Sequence, residues 1–147
     1  ACGTQSPEEL FADAEAAAAD SSSRTQAVEA LGSFIEKYPD HESGPKALKL
    51  LAVLAQQAGE VEGAIGHYEQ LLADYPKSQY AAEAQFMVAY ILEEYLKDFD
   101  EARLAYQRVI DNFPESDLAV SARHLLPHLG RDPEEWVKFG DGGDAKN

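Results

Sequence analysis

The sequence predicts an all-α fold, a solenoid of about three helix pairs followed by a closing helix and a short C-terminal helix. Three observations carry that expectation. The aromatic-proline pairs Tyr38-Pro39, Tyr75-Pro76 and Phe113-Pro114 recur at steps of 37 and 38 residues. In the same steps run Ala27, Ala64 and Ala102, then Leu31, Tyr68 and Tyr106, then Ile35, Leu72 and Ile110. Eight residues past each proline come Ala47, Ala84 and Ala122, with Leu51, Val88 and Leu126 four residues further on. Columns held in register at such a period mark stacked units of one supersecondary motif, none of which buries its apolar face alone.

Taken in order, the elements follow from caps, breakers and spacing. Ser6-Pro7-Glu8-Glu9 reads as a capping box with proline at the first helical position, opening a helix over 7–19. The polar break Asp20-Ser21-Ser22-Ser23 separates it from a partner helix over 25–38, where small Ala27 and larger residues at i+4, i+7 and i+8 form one buried stripe. Pro39 ends that helix, because the residue before a proline is pushed out of the α region and the ring has no N–H to continue the ladder. The same logic gives helices over 45–58, 61–75, 79–97, 100–113 and 117–129, with Asp40, Ser78 and Ser116 as candidate caps after the prolines. Asp132-Pro133-Glu134-Glu135 repeats the opening cap before a short helix near 133–139. Its Trp136, Val137 and Phe139 are too few to fold alone and are expected to cap the end of the solenoid, or else to anchor a partner. Residues 1–6 read as an N-terminal tether, 7–139 as the helical domain, and the glycine-rich, charged stretch 140–147 as a flexible tail.

Composition bounds the function. The 147 residues make one domain, and with 45% apolar and 27% charged residues a packed core is expected. Acidic residues outnumber basic ones 27 to 12, a formal charge of -15, so nucleic acid and anionic lipid headgroups are repelled rather than bound. The acidity reads first as a solvated surface and second as an acidic docking face. No stretch reaches the roughly 20 apolar residues that span a bilayer. A single cysteine, Cys2, forbids an internal disulfide and a multi-cysteine zinc site.

These residues resemble the tetratricopeptide repeat, whose second helix has alanine, an aromatic four residues on, and proline eight residues after that. Gly59, Ala64, Tyr68 and Pro76 carry the match in one unit, and Phe99, Ala102, Tyr106 and Pro114 in the next. The first unit departs from the pattern, with Leu31 at the aromatic position and a serine-rich turn. The resemblance covers about residues 7–129 and implies a right-handed α-solenoid that binds other proteins. Pro76-Lys77-Ser78 and Pro114-Glu115-Ser116, with the longer step, look like the subclass found in bacterial envelope proteins, such as BamD-type outer-membrane lipoproteins and the division coordinator CpoB. With about three units instead of five, a role in outer-membrane protein assembly is not implied.

Groups for chemistry are sparse. His124 and His128 are four apart, the spacing of two metal ligands on one helix face, but Pro127 between them interrupts the helix and no acidic third ligand intervenes. His41 and His67 are isolated and expected to be solvated. Glu93-Glu94 and Glu134-Glu135 are adjacent residues that point about 100° apart on a helix and read as charged faces. Gly140-Asp141-Gly142-Gly143 lacks the flanks of a phosphate loop and the spacing of a calcium loop. No cofactor, metal site or catalytic set is expected. The resemblance instead implies a concave groove lined by the first helix of each unit: Lys46, Lys49, Val53 and Gln56, then Phe86, Tyr90 and Glu93, then Ser121, His124 and His128 of the closing helix. The alternatives are that Phe86 and Tyr90 pack between units, and that the lysines pair locally with Glu83 or another acid.

Ala1-Cys2-Gly3-Thr4 looks like the junction of a bacterial lipoprotein, where the cysteine receives lipid. The expectation is a lipid-anchored envelope scaffold on the periplasmic side of the outer membrane, touching membrane only through Cys2. The alternative is a cytosolic adaptor whose groove takes a peptide or a helix. If the alanine columns mark helix crossings, Ala102→Leu overpacks one of them and lowers stability by about 1–3 kcal/mol in chemical denaturation; an unchanged midpoint would disprove the register.

Overall fold

The computed structural model describes residues 5–132, and among these every regular element is helical. The helices are α1 (Pro7–Ala19), α2 (Arg24–Lys37), α3 (Gly44–Ala58), α4 (Val61–Asp74), α5 (Ala81–Glu94), α6 (Phe99–Asn112) and α7 (Asp117–Leu125). Short 3₁₀ turns cover Ser21–Ser23 and Leu126–His128. Each helix packs on the next, and α1 also touches α3 as α5 touches α7, so the first helices of successive pairs share one face. The pairs are α1/α2, α3/α4 and α5/α6, with α7 closing the stack. The expected helix over 133–139, its Trp136 cluster, Cys2 and the tail lie outside the described residues.

Local chemistry explains most boundaries. Ser6 accepts from the Glu9 N–H while the Glu9 carboxylate accepts from the Ser6 N–H, the complete capping box. Before each proline, Tyr38, Tyr75 and Phe113 share φ -132 with ψ between 52 and 58, outside the α region. Ser116 caps α7 by accepting from the Ala119 N–H. The other two expected caps are corrected. The Ser78 hydroxyl accepts from the Tyr80 N–H inside a turn that precedes α5. In the α2–α3 loop it is His41, not Asp40, that accepts, its Nδ1 taking the Ser43 N–H. That bond leaves His41 Nε2 as the N–H facing Glu8 at 3.3 Å, while the ring lies edge-on against Phe34. His41 is therefore half-buried and engaged, not solvated.

The change of step from 37 to 38 has one location. From α3 to α5 the column Ala47 to Ala84 advances by 37, whereas from α4 to α6 Ala64 to Ala102 advances by 38. The extra residue falls in the turn Tyr95–Asp98, four residues where the preceding pair needs only Gly59 and Glu60. The helix expected over 79–97 thus stops at Glu94. Gly59 makes its tight turn at φ 78, and the longer turn places Lys97 at φ 54, a conformation that costs a non-glycine residue little more than a local strain.

Burial follows the columns. Ala27, Ala64 and Ala102 are 0% exposed, as are Ala47 and Ala122, with Ala84 at 1%. Leu31, Tyr68 and Tyr106 are buried with Phe34, Leu71 and Val109 one turn on, whereas Ile35, Leu72 and Ile110 form a half-buried rim. Neighbouring units also clasp through the aromatic-proline pairs: Tyr75 donates its hydroxyl to the Pro39 carbonyl and lies directly over Gly44. A Cβ on Gly44 would fall 2.7 Å from Tyr75 Cζ and closer still to its oxygen. The equivalent pair one unit on is Ala81 with Phe113, where the missing hydroxyl accompanies the added methyl. Gly44→Ala is expected to lower stability by about 1–3 kcal/mol. Adding Tyr75→Phe should return part of that loss in thermal melts, since the double variant reproduces the Ala81/Phe113 arrangement.

Candidate functional site

The ten residues expected to line a groove fall on α3, α5, α7 and the turn after α7, and the structure divides them into three kinds. Lys46 and Lys49 stand on α3 one turn apart and reach opposite ways. Lys46 pairs with Glu15 of α1 and lies 5.7 Å from the Phe11 ring centre. Its hydrogen bond to Glu15 holds its pKa above the usual lysine value. Lys49 pairs with Glu83 of α5 at 2.7 Å and lies 5.1 Å from the Tyr80 ring centre. Each lysine therefore bridges two units through a carboxylate and an aromatic face. The local pairing of Lys49 with Glu83 is what the structure places there.

Gln56 and Glu93 occupy equivalent positions and do equivalent work. Tyr68 donates its hydroxyl to Gln56 Oε1 at 3.0 Å, and Tyr106 donates to Glu93 Oε2 at 2.8 Å. Both tyrosines are almost fully buried, so each hydroxyl needs that acceptor. Burial pushes the Tyr68 phenol up to about 12, with Glu83 adding to it; burial and then the Glu93 hydrogen bond raise Tyr106 further. Gln56 and Glu93 are thus tied to the interior as well as facing the groove.

Val53 and Phe86 are half-buried, and Phe86 meets Tyr106 edge-to-face with ring centres 5.3 Å apart. Phe86 packs within its own helix pair. Tyr90 remains 38% exposed, supported edge-on by Tyr95, itself 55% exposed, at 6.3 Å. Ser121 and His124 are exposed on α7, Ser121 donating to the Asp117 carbonyl. Pro127 does break the helix, so His128 lies in the 3₁₀ turn beyond it, lining an open cavity with Glu93, Glu94, Lys97 and Phe99. Among the described residues no group of three or more His, Cys, Asp or Glu side chains converges as a metal site. No helix among them is long and apolar enough to cross a membrane.

Residues 11–79 match a family model described as tetratricopeptide repeat, and residues 83–116 match a second model of the same description. This is a tetratricopeptide-repeat protein. No curated protein matches the chain. In tetratricopeptide-repeat terms the two matches meet at the α4–α5 loop and together take in all three helix pairs, so the weaker columns of the first pair belong to the repeat as well. Such repeats serve as scaffolds for protein–protein interaction, which is the function this chain shares.

Reading the sequence alone missed Glu15 as the partner of Lys46, because nothing periodic links residues 15 and 46. It also missed a cavity between α2, α3 and α4, where His67, expected to be solvated, is half-buried and its pKa lowered by that burial. The tyrosine pair gives a pH dependence. A phenol whose folded pKa is raised contributes stability that is fully present below the unfolded value near 10 and is lost as pH rises through the folded value. Unfolding free energy is therefore expected to fall between pH 10 and about 12, ahead of the wild-type trend at lower pH. In Tyr68→Phe that alkaline fall should be shallower, as read by urea titration at each pH.

Proposed function

We propose that this tetratricopeptide-repeat protein is a non-catalytic scaffold of the bacterial cell envelope, anchored by a lipid on Cys2 to the periplasmic side of the outer membrane. Its first-helix face would hold a protein partner within a larger membrane-associated complex. The observation that carries the binding half of this reading is Tyr90 and Tyr95, two exposed aromatic rings that support each other edge-on. Rigid, half-exposed aromatics next to polar groups are the composition of interface hot spots. The anchoring half is supported by Ala1-Cys2-Gly3 and by the proline-x-serine ends of the second and third units. A net charge of -15 makes electrostatic attachment to an anionic bilayer unfavourable, so a covalent lipid is the consistent route to the membrane.

Two measurements test the halves separately. Mass spectrometry of the protein from its native organism should find acyl groups on Cys2; an unmodified Cys2 thiol would remove the anchor. Once a partner is recovered by pull-down, Tyr90→Ala and the double variant Phe86→Ala with Tyr90→Ala should weaken binding while circular dichroism stays unchanged. A loss of about 2 kcal/mol is expected for an aromatic hot spot. Undiminished binding by the folded variants would move the interface off this face.

A further inference from the structure

A cavity of about 340 Å³ opens between α2, α3 and the start of α4, away from the first-helix face. Its floor is apolar, built from Leu51, Leu54, Ala55 and Val28. It exists because the repeat is broken there. One unit on, the places of Ala55 and Ala58 are taken by Leu92 and Tyr95, and that of Val28 by the larger Ile65. Its polar rim departs from the repeat as well: Arg24 stands where the next unit has Val61, and His67 where it has Ala105. In a repeat protein, each unit solves the same packing problem, so small residues and charges gathered at one junction are not explained by packing.

The rim carries both signs. Arg24 Nε is buried with no hydrogen-bond partner, and among the described residues Arg24 makes no ion pair. Arg24 itself lines the cavity, and a guanidinium without an ion pair is best met by a carboxylate. Glu29 and Glu60 line the same cavity and offer acceptors to a cation. The field of a chain at -15 repels a ligand with net negative charge, whereas a neutral zwitterion is not repelled. The volume lies at the low end of small-molecule sites, enough for one residue-sized ligand.

We propose that this cavity binds a free hydrophobic α-amino acid, with its carboxylate on Arg24, its ammonium on Glu29 or Glu60, and its side chain against Leu51, Leu54 and Ala55. Half-buried His67, its pKa lowered by that burial, completes the wall. The proposal does not depend on the lipid anchor or on the first-helix face.

Isothermal titration of the full chain with L-leucine tests it, alongside N-acetyl-L-leucine, L-leucinamide and glycine, which lack the ammonium, the carboxylate and the side chain respectively. Saturable binding of L-leucine is expected, with each analogue weaker by about tenfold or more, the scale of one charge-assisted contact or one buried side chain. Arg24→Gln should weaken L-leucine by a similar factor. Ala55→Leu, which installs the residue the next unit already carries, should fill the floor, abolish binding and leave the melting temperature equal or higher. Absence of L-leucine binding, equal binding of the three analogues, or undiminished binding by folded Ala55→Leu or Arg24→Gln would overturn the proposal.

Discussion

The close approach of paired helices at alanine is the constraint on which everything else rests. Ala27, Ala64 and Ala102 have no exposed surface, and the first helices carry buried small residues of their own, Ala47, Ala84 and Ala122. With no side chain beyond Cβ at the crossings, the backbones come near enough that the large residues fit only beside the crossing, one turn away. That is where Leu31, Tyr68 and Tyr106 lie, and why the hydroxyls of the two tyrosines are too deep for water and must find Gln56 and Glu93. The groove-facing polar residues are thus fixed from beneath by the core, and the site inherits its geometry from the alanines.

This dependence explains what was legible in the sequence. A residue whose role repeats leaves a column, so the helix order, the buried alanines and tyrosines and the proline stops could be read from spacing. The insertion in the Tyr95–Asp98 turn was present in the spacing as well, since the columns step by 37 as far as Val88 and by 38 from Ala102, with the extra residue between them. Contacts made once leave no column. Lys46 with Glu15 and His41 with Glu8 join residues whose partners are set by how two helices happen to lie, and neither sequence distance nor residue type marks them. Asp40 was a reasonable cap by residue type, yet a histidine ring held against Phe34 takes the turn's N–H instead.

The exceptions to the repeat are therefore the informative positions. Gly44 under Tyr75 shows that a departure can be structural, since the Tyr75 hydroxyl and the ring carbon that bears it leave no room for a Cβ there. The junction of the first and second units departs differently: Ala55 and Ala58 stand where the next unit has the larger Leu92 and Tyr95, and the charged or polar Arg24 and His67 stand where it has Val61 and Ala105. A compensated departure keeps the packing closed; this one leaves a cavity and an unmet guanidinium nitrogen. The distinction was available in the sequence, by comparing Ala55 and Ala58 with Leu92 and Tyr95, once the register was trusted.

Charge on the first-helix face also bears on how a partner is held. Lys46 and Lys49 look free in an acidic chain, but both are paired across units and stacked near an aromatic ring. Partly exposed ion pairs of this kind add little to stability. Their effect on binding is larger, because a partner carboxylate approaching Lys49 must displace Glu83 and so exchanges one ion pair for another. Exposed aromatic surface has no such competitor: covering Tyr90 and Tyr95 removes apolar area from water without breaking a contact already made. On the proposed interface the lysines would accordingly orient a partner and select its charges, while the net gain on association would come from the tyrosines.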